Sequence, residues 1–248
     1  MHPYSNMIYI GCSGWSYKNW KAVFYPLTLS SKNYFAYYAT HFKTVEVNST
    51  FYHFPTAKTV HTWVQQTPSD FRFTLKVSRE ITHLKRMNQV RELLNNFYGL
   101  SDILQDKLGC FLFQFPASFR FTSEHLEQIL EQLDPCYKNV LEFRHSSWWH
   151  PEVIRILREH HIICCTVSGF ELPEDLNITD KVAYIRLHGK PIYAGCYSEQ
   201  ELVDWAQKIK VEQIKELWVY FNNTIHGHAI QNANELKKCL NLPNYKLI

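Results

Sequence analysis

Eight short apolar runs, each ending in a polar or charged cluster and separated by helix-like stretches, constrain this 248-residue chain more than any other feature. The runs fall at 8–11, 44–52, 71–77, 108–114, 139–142, 162–167, 182–188 and 217–221. Between them, apolar residues recur at helical spacing over 31–40, 58–66, 89–104, 124–133, 151–160 and 229–240, and around Leu202, Trp205, Ala206 and Ile209. Ser123 and Ser198 stand where N-caps belong, and Pro151 suits a first helical turn. Strand alternating with helix at this spacing predicts an α/β fold, a (β/α)8 TIM barrel occupying residues 1–248 as a single domain. A doubly wound open sheet is the alternative. It is disfavoured because no Gly-rich dinucleotide turn follows a strand and no linker divides the chain. The segment 170–180 fits the repeat least.

Composition narrows the classes of function. A net charge of +3 is too small for a nucleic-acid coat or a membrane-binding surface, so any nucleic-acid contact must be local. No window approaches the roughly 20 apolar residues that span a bilayer. Residues 1–7 show no basic region followed by a long apolar run, which argues against a signal peptide. The seven cysteines are scattered with no C-x-x-C pair, a pattern that suits a reducing cytoplasm better than a disulfide framework. Aromatic residues make up 15% of the chain, and several, including Trp15, Tyr52, Trp148 and Trp149, adjoin polar residues. They fit a ring-lined pocket or bulk packing.

The active site of such a barrel lies at the C-terminal ends of its strands. The run Val140-Leu141-Glu142-Phe143-Arg144-His145 is the clearest case, because charged groups seldom enter an interior unpaired. The same rule brings Ser13 and Trp15, Glu46 and Asn48, Lys76, Gln114, Arg186 and His188, and Asn222 and Asn223 to one cup. Glu46, Glu142, His145 and His188 are the proton-transfer candidates. Lys76, Arg144 and Arg186 concentrate positive charge suited to a phosphate or carboxylate. Structural alternatives accompany each of these. Glu46 can belong to an internal ion network with Lys76 or Arg186, Glu142 can be neutralised by Arg144, and the two asparagines can stabilise a turn. No cofactor is implied. Glu46, Glu142, His145 and His188 are types that could hold a divalent metal, but no H-x-H or D-x-H spacing links them and the nearby cations oppose one. Cys12 is a minor nucleophile candidate, and Cys164 and Cys165 read as packing.

The strand-end motifs also occur together in a known order. Gly11-Cys12-Ser13-Gly14-Trp15-Ser16-Tyr17, Val45-Glu46-Val47-Asn48-Ser49-Thr50-Phe51-Tyr52, Leu75-Lys76-Val77 with Thr82-His83, Gln114-Phe115-Pro116, Glu142-Phe143-Arg144-His145, Arg186-Leu187-His188-Gly189 and Phe221-Asn222-Asn223-Thr224 resemble the YecE-like family, domain of unknown function 72. The resemblance spans nearly the whole chain. It implies a TIM barrel and an uncharacterised activity. At the level of fold it is similar to the endonuclease IV and xylose isomerase group, which lends weight to phosphoester or sugar chemistry by analogy.

Three expectations follow. The first is an enzyme, a phosphoester hydrolase or isomerase, whose mouth binds an anionic small molecule or a nucleic-acid strand. The second is a carbohydrate hydrolase using Glu46 and Glu142, and the third is a cup that binds such ligands without turning them over.

Overall fold

The structure, a computed structural model, describes residues 7–242. The N-terminal residues 1–6, read above for a leader, lie outside that range. Ten strands form one sheet: β1 (Met7–Ser13), β2 (Thr44–Val47), β3 (Arg72–Lys76), β4 (Leu108–Gln114), β5 (Asn139–Glu142), β6 (Ile163–Cys164), β7 (Thr166–Ser168), β8 (Ile178–Thr179), β9 (Val182–Leu187) and β10 (Glu216–Phe221). Their order is β6-β5-β4-β3-β2-β1-β10-β9-β7, parallel throughout, with β8 added antiparallel on β9. The two ends of that path are halves of one stave. Only Cys165 separates β6, which pairs with β5, from β7, which pairs with β9, and the Cys165 amide still donates to Leu141 O at 2.8 Å. Eight staves therefore close a barrel, as the spacing of apolar runs predicts.

Two clusters of buried side chains follow from the period-two geometry of strands. One set of alternate residues packs outward under the helices, with Val45, Phe73, Phe111, Leu141, Ile185 and Val219 among them. The other set fills the barrel, including Leu112, Val140, Ile163, Cys165, Tyr184, Trp218 and Tyr220. Cys164 and Cys165 are both buried packing residues, and all seven cysteines are free. Among the described residues no helix is long and apolar enough to cross a membrane.

Three local expectations are corrected. The run 89–104 is two helices, Arg91–Tyr98 and Ser101–Leu104, because the chain bends at Gly99, a weak helix former, and so buries both Leu100 and Leu104. The cap of Ser123–Gln132 is Thr122, whose hydroxyl accepts from the His125 amide. The run 44–52 stops being a strand at Asn48 (φ −81°, ψ −19°) and turns into the helical segment Ser49–Tyr52. There Thr50 Oγ1 donates to Val47 O (2.8 Å) and Lys76 O (2.7 Å), which ties the ends of β2 and β3 together. At Ser198 the expected cap is present as a full capping box with Glu201.

Candidate functional site

Stepping by two residues up the staves leads from an apolar plug to a polar layer. On β9 the inward series is Tyr184, Arg186 and then His188; on β5 it is Val140 and then Glu142; on β10 it is Tyr220 and then Asn222. Burial is nearly complete for Ser13, Glu46, Glu142, Arg186 and His188, so each charge there needs a partner.

Arg186 lies at the centre of that pairing. Its Nε and Nη2 donate to the two oxygens of Glu46 at 2.9 and 2.6 Å, and its Nη1 donates to Glu142 Oε2 at 2.5 Å. The Glu46 carboxylate also accepts from Ser13 Oγ and Tyr184 OH, both at 2.7 Å, so both its oxygens are fully engaged. Arg144 supplies the second cation for Glu142, with Nε to Oε1 at 2.6 Å. This contact shows that the alternation of β5 continues through residue 144, although the ladder ends at 142. Arg186 and Arg144 more than offset the cost of burying Glu142, and they hold its pKa far below the ordinary carboxylate range.

Lys76 is treated differently. Its side chain is buried, its Nζ donates to Gln114 Oε1 at 2.9 Å and lies 4.1 Å from the centre of the Phe51 ring. Among the described residues no carboxylate reaches salt-bridge distance of that amine, because both carboxylates of the cup are taken by arginines. Burial first, and then the charge of Arg186, push the Lys76 pKa down from 10.5 to about 7.

His188 is the second underpaired group. Asn222 Nδ2 lies 3.1 Å from its Nδ1 and donates to it, which places the ring proton of the neutral imidazole on Nε2. That buried Nε2 has no hydrogen-bond partner; Glu142 Oε1 is 3.8 Å away. Burial and the charge of Arg186 keep the His188 pKa well below its usual value.

Loops after β7 and β9 cover this layer. The Arg144 guanidinium lies 4.1 Å from the centre of the Phe170 ring, and its Nη1 donates to Tyr193 OH at 3.1 Å, leaving its side chain 13% exposed. Glu174 joins the two loops, accepting from Ser168 Oγ (3.0 Å), Gly169 N (3.3 Å) and Lys190 Nζ (2.9 Å). Gly189, at φ +81°, is required where the β9 loop begins, since a Cβ there would meet Gly195 O at 2.5 Å.

The remaining sequence candidates lie around this cluster. Asn223 holds loops, its Nδ2 donating to Gly195 O and Asn232 Oδ1 at 2.9 Å each. His145 accepts from the Ser147 amide at 3.1 Å and caps the turn Ser146–Trp148. Trp15 stacks on Phe35 at 4.2 Å and borders a separate groove of about 350 Å³ with Lys32 and Lys58. Asn48 ends β2 with a buried, unpartnered Oδ1. Trp148 packs in the core against Phe143, at 4.0 Å between ring centres. Cys12 is wholly buried and its thiol is pushed up to about 12, so it carries no nucleophile. Among the described residues no three His, Cys, Asp or Glu side chains form a metal-ligand group.

Sequence reasoning missed Tyr184, Tyr193 and Phe170. Tyr184 was available from period two, standing two residues before Arg186 on one strand. Tyr193 and Phe170 lie in loops, where no periodicity points them at the mouth.

Comparison with known proteins agrees with this architecture. The family described as "Protein of unknown function DUF72" matches residues 9–247. The UPF0759 protein YunF of Bacillus subtilis is 30% identical, covering 95% of each chain. The UPF0759 protein YecE of Escherichia coli is 34% identical over 58% of this chain and 50% of its own. Among solved structures, a DUF72 family protein of Thermotoga maritima superposes with a TM-score of 0.85 at 33% identity, covering 95% of this chain and 99% of that one. One from Enterococcus faecalis, 24% identical, shares the fold with a TM-score of 0.82, covering 98% of this chain and 100% of that one.

Proposed function

The chain belongs to the DUF72 family, and on that premise we propose that its barrel mouth binds a phosphate-bearing ligand: a sugar phosphate, a nucleotide or a nucleic-acid strand. The observation that carries this reading is a surplus of buried donors. Lys76, Arg144 and Arg186 face only two carboxylates, Glu46 and Glu142, so one positive charge remains when Lys76 is protonated. Lys76 Nζ has only an amide oxygen as hydrogen-bond partner, and His188 Nε2 has none. A buried donor without an acceptor is costly, and an anion between these groups would satisfy it.

Within this reading the cup divides its labour. Arg186, with three donors on carboxylates, builds the site; Lys76, Arg144 and His188 face the ligand. Turnover as a phosphoester hydrolase or isomerase would draw its proton transfers from Lys76 and His188 rather than from Glu142. A paired-carboxylate glycoside hydrolase needs one carboxyl free to donate a proton and the other free to attack or to activate water, whereas Arg186, Ser13 and Tyr184 occupy Glu46 and the two arginines occupy Glu142, which weighs against that alternative.

The test is thermal unfolding of wild type and Arg144→Ala with inorganic phosphate, sugar phosphates and short single-stranded oligonucleotides. A ligand at 100 times its Kd stabilises by about 2.7 kcal/mol, a rise of several degrees in Tm at this size. The expected result is a rise in wild type that shrinks or vanishes in the variant. A wild-type Tm indifferent to every phosphate compound would refute the reading.

A further inference from the structure

We propose that Lys76 is a carbonyl-trapping nucleophile, whose Nζ forms an imine with an aldehyde or ketone group of a phosphate-bearing ligand. This rests on the phosphate reading of the same mouth and specifies what else the ligand carries.

The geometry separates Lys76 from the lysines that are ion-paired. Lys43, Lys138 and Lys190 each pair with a carboxylate. Lys76 sits at the end of β3 in a layer with two glutamates, yet both glutamates are held by arginines. Its own hydrogen bond goes to neutral Gln114, and Gln114 is fixed in turn by donating Nε2 to Phe115 O at 3.0 Å. Nζ itself lies over the Phe51 ring, 4.1 Å from its centre, so the amine is positioned without a carboxylate at salt-bridge distance. Lys76 as a residue keeps 9% of its surface exposed. Desolvation beside guanidinium charge then leaves a large fraction as free amine near neutral pH, the form that attacks a carbonyl.

The step balances without a co-reactant. The Nζ lone pair adds to the carbonyl carbon, the C=O π pair moves to oxygen, and one N–H proton follows to give a carbinolamine. Loss of its hydroxyl with the second N–H proton forms C=N and releases one water, with no change in oxidation state. In this proposal His188 Nε2–H, a donor without a partner, gives its hydrogen bond to the oxygen of the adduct. Arg144 holds the phosphate at the rim.

Pyridoxal 5′-phosphate, which carries both an aldehyde and a phosphate, is the probe. The full chain is incubated with it near pH 7, reduced with borohydride, digested, and the modified lysine mapped, beside Lys76→Met and Lys76→Arg. The expected result is labelling at Lys76 at least about ten-fold faster than at the surface lysines, set by its larger free-amine fraction. Both variants should lack that fast phase. Labelling of Lys76 no faster than of surface lysines, or a fast phase that persists in Lys76→Arg, overturns the proposal. Inorganic phosphate and unphosphorylated pyridoxal separate the two readings. Fast labelling by both aldehydes, unaffected by phosphate, keeps the imine and removes the phosphate site. Phosphate-dependent stabilisation without fast labelling keeps the site and removes the imine.

Discussion

Replacing Lys76 by methionine isolates the cost of burying its ammonium, because methionine keeps most of the stem's volume and removes the charge. The unfolded chain holds the Lys76 proton up to about 10.5, the folded chain only to about 7, so between these values the unfolded state binds more protons and stability rises with pH. Below about 7 both states are protonated and the penalty is complete; above about 10.5 it is gone. A difference of that size is worth roughly 5 kcal/mol at about 1.36 kcal/mol per pH unit, taken as an upper figure. Against it, methionine leaves Gln114 Oε1 without its donor, a loss of about 1–3 kcal/mol that does not vary with pH. Lys76→Met is therefore expected to be more stable than wild type by about 2–4 kcal/mol at pH 6, and less stable by about 1–3 kcal/mol near pH 10.5. Urea unfolding of both proteins at intervals from pH 6 to 10.5 measures this, and subtraction cancels the tyrosines and cysteines common to both. A difference that stays constant across that range would refute the account of Lys76 as a depressed, uncompensated amine.

Glu46→Gln removes one carboxylate from Arg186 while keeping shape; a loss of about 3–5 kcal/mol is expected in urea unfolding, and a loss below about 1 kcal/mol would contradict the buried network. Gly109→Ala would put a methyl 2.6 Å from Trp218 Cη2 and 3.0 Å from Phe73 O, so overpacking of about 1–3 kcal/mol should lower Tm by several degrees; an unchanged Tm would mean the plug can yield there. Phe170→Ala uncovers Arg144, and the rate of Lys76 modification by pyridoxal 5′-phosphate should rise; a rate equal to wild type would show that this ring does not control access.

How much of the site was legible depends on the regularity of the backbone that carries each residue. On a strand, position is fixed by counting in twos, so Ser13, Glu46, Lys76, Gln114, Glu142 and Arg186 could be assembled into one layer without coordinates. Arg144 followed the same rule for two residues past its ladder. His145 and Asn223 did not: one folded back onto its own turn and the other onto a neighbouring loop, choices made by local hydrogen bonds rather than by strand phase. Phe170 and Tyr193 belong to loops whose path is set by Glu174 and Gly189.

The amino-acid sequence alone determined the alternation of strand and helix, and with it a closed barrel whose polar strand ends share one mouth, because hydrophobic periodicity is a local property that survives any tertiary arrangement. Which charge faces which was decided only by the tertiary structure. Both Glu46 and Glu142 could have neutralised Lys76, and the barrel instead aims them at Arg186 and Arg144, since its register sets β9 opposite β2 and β5. The Coulomb energy of a buried pair depends on separations of a few ångströms, a scale that closure of the barrel fixes and sequence distance does not.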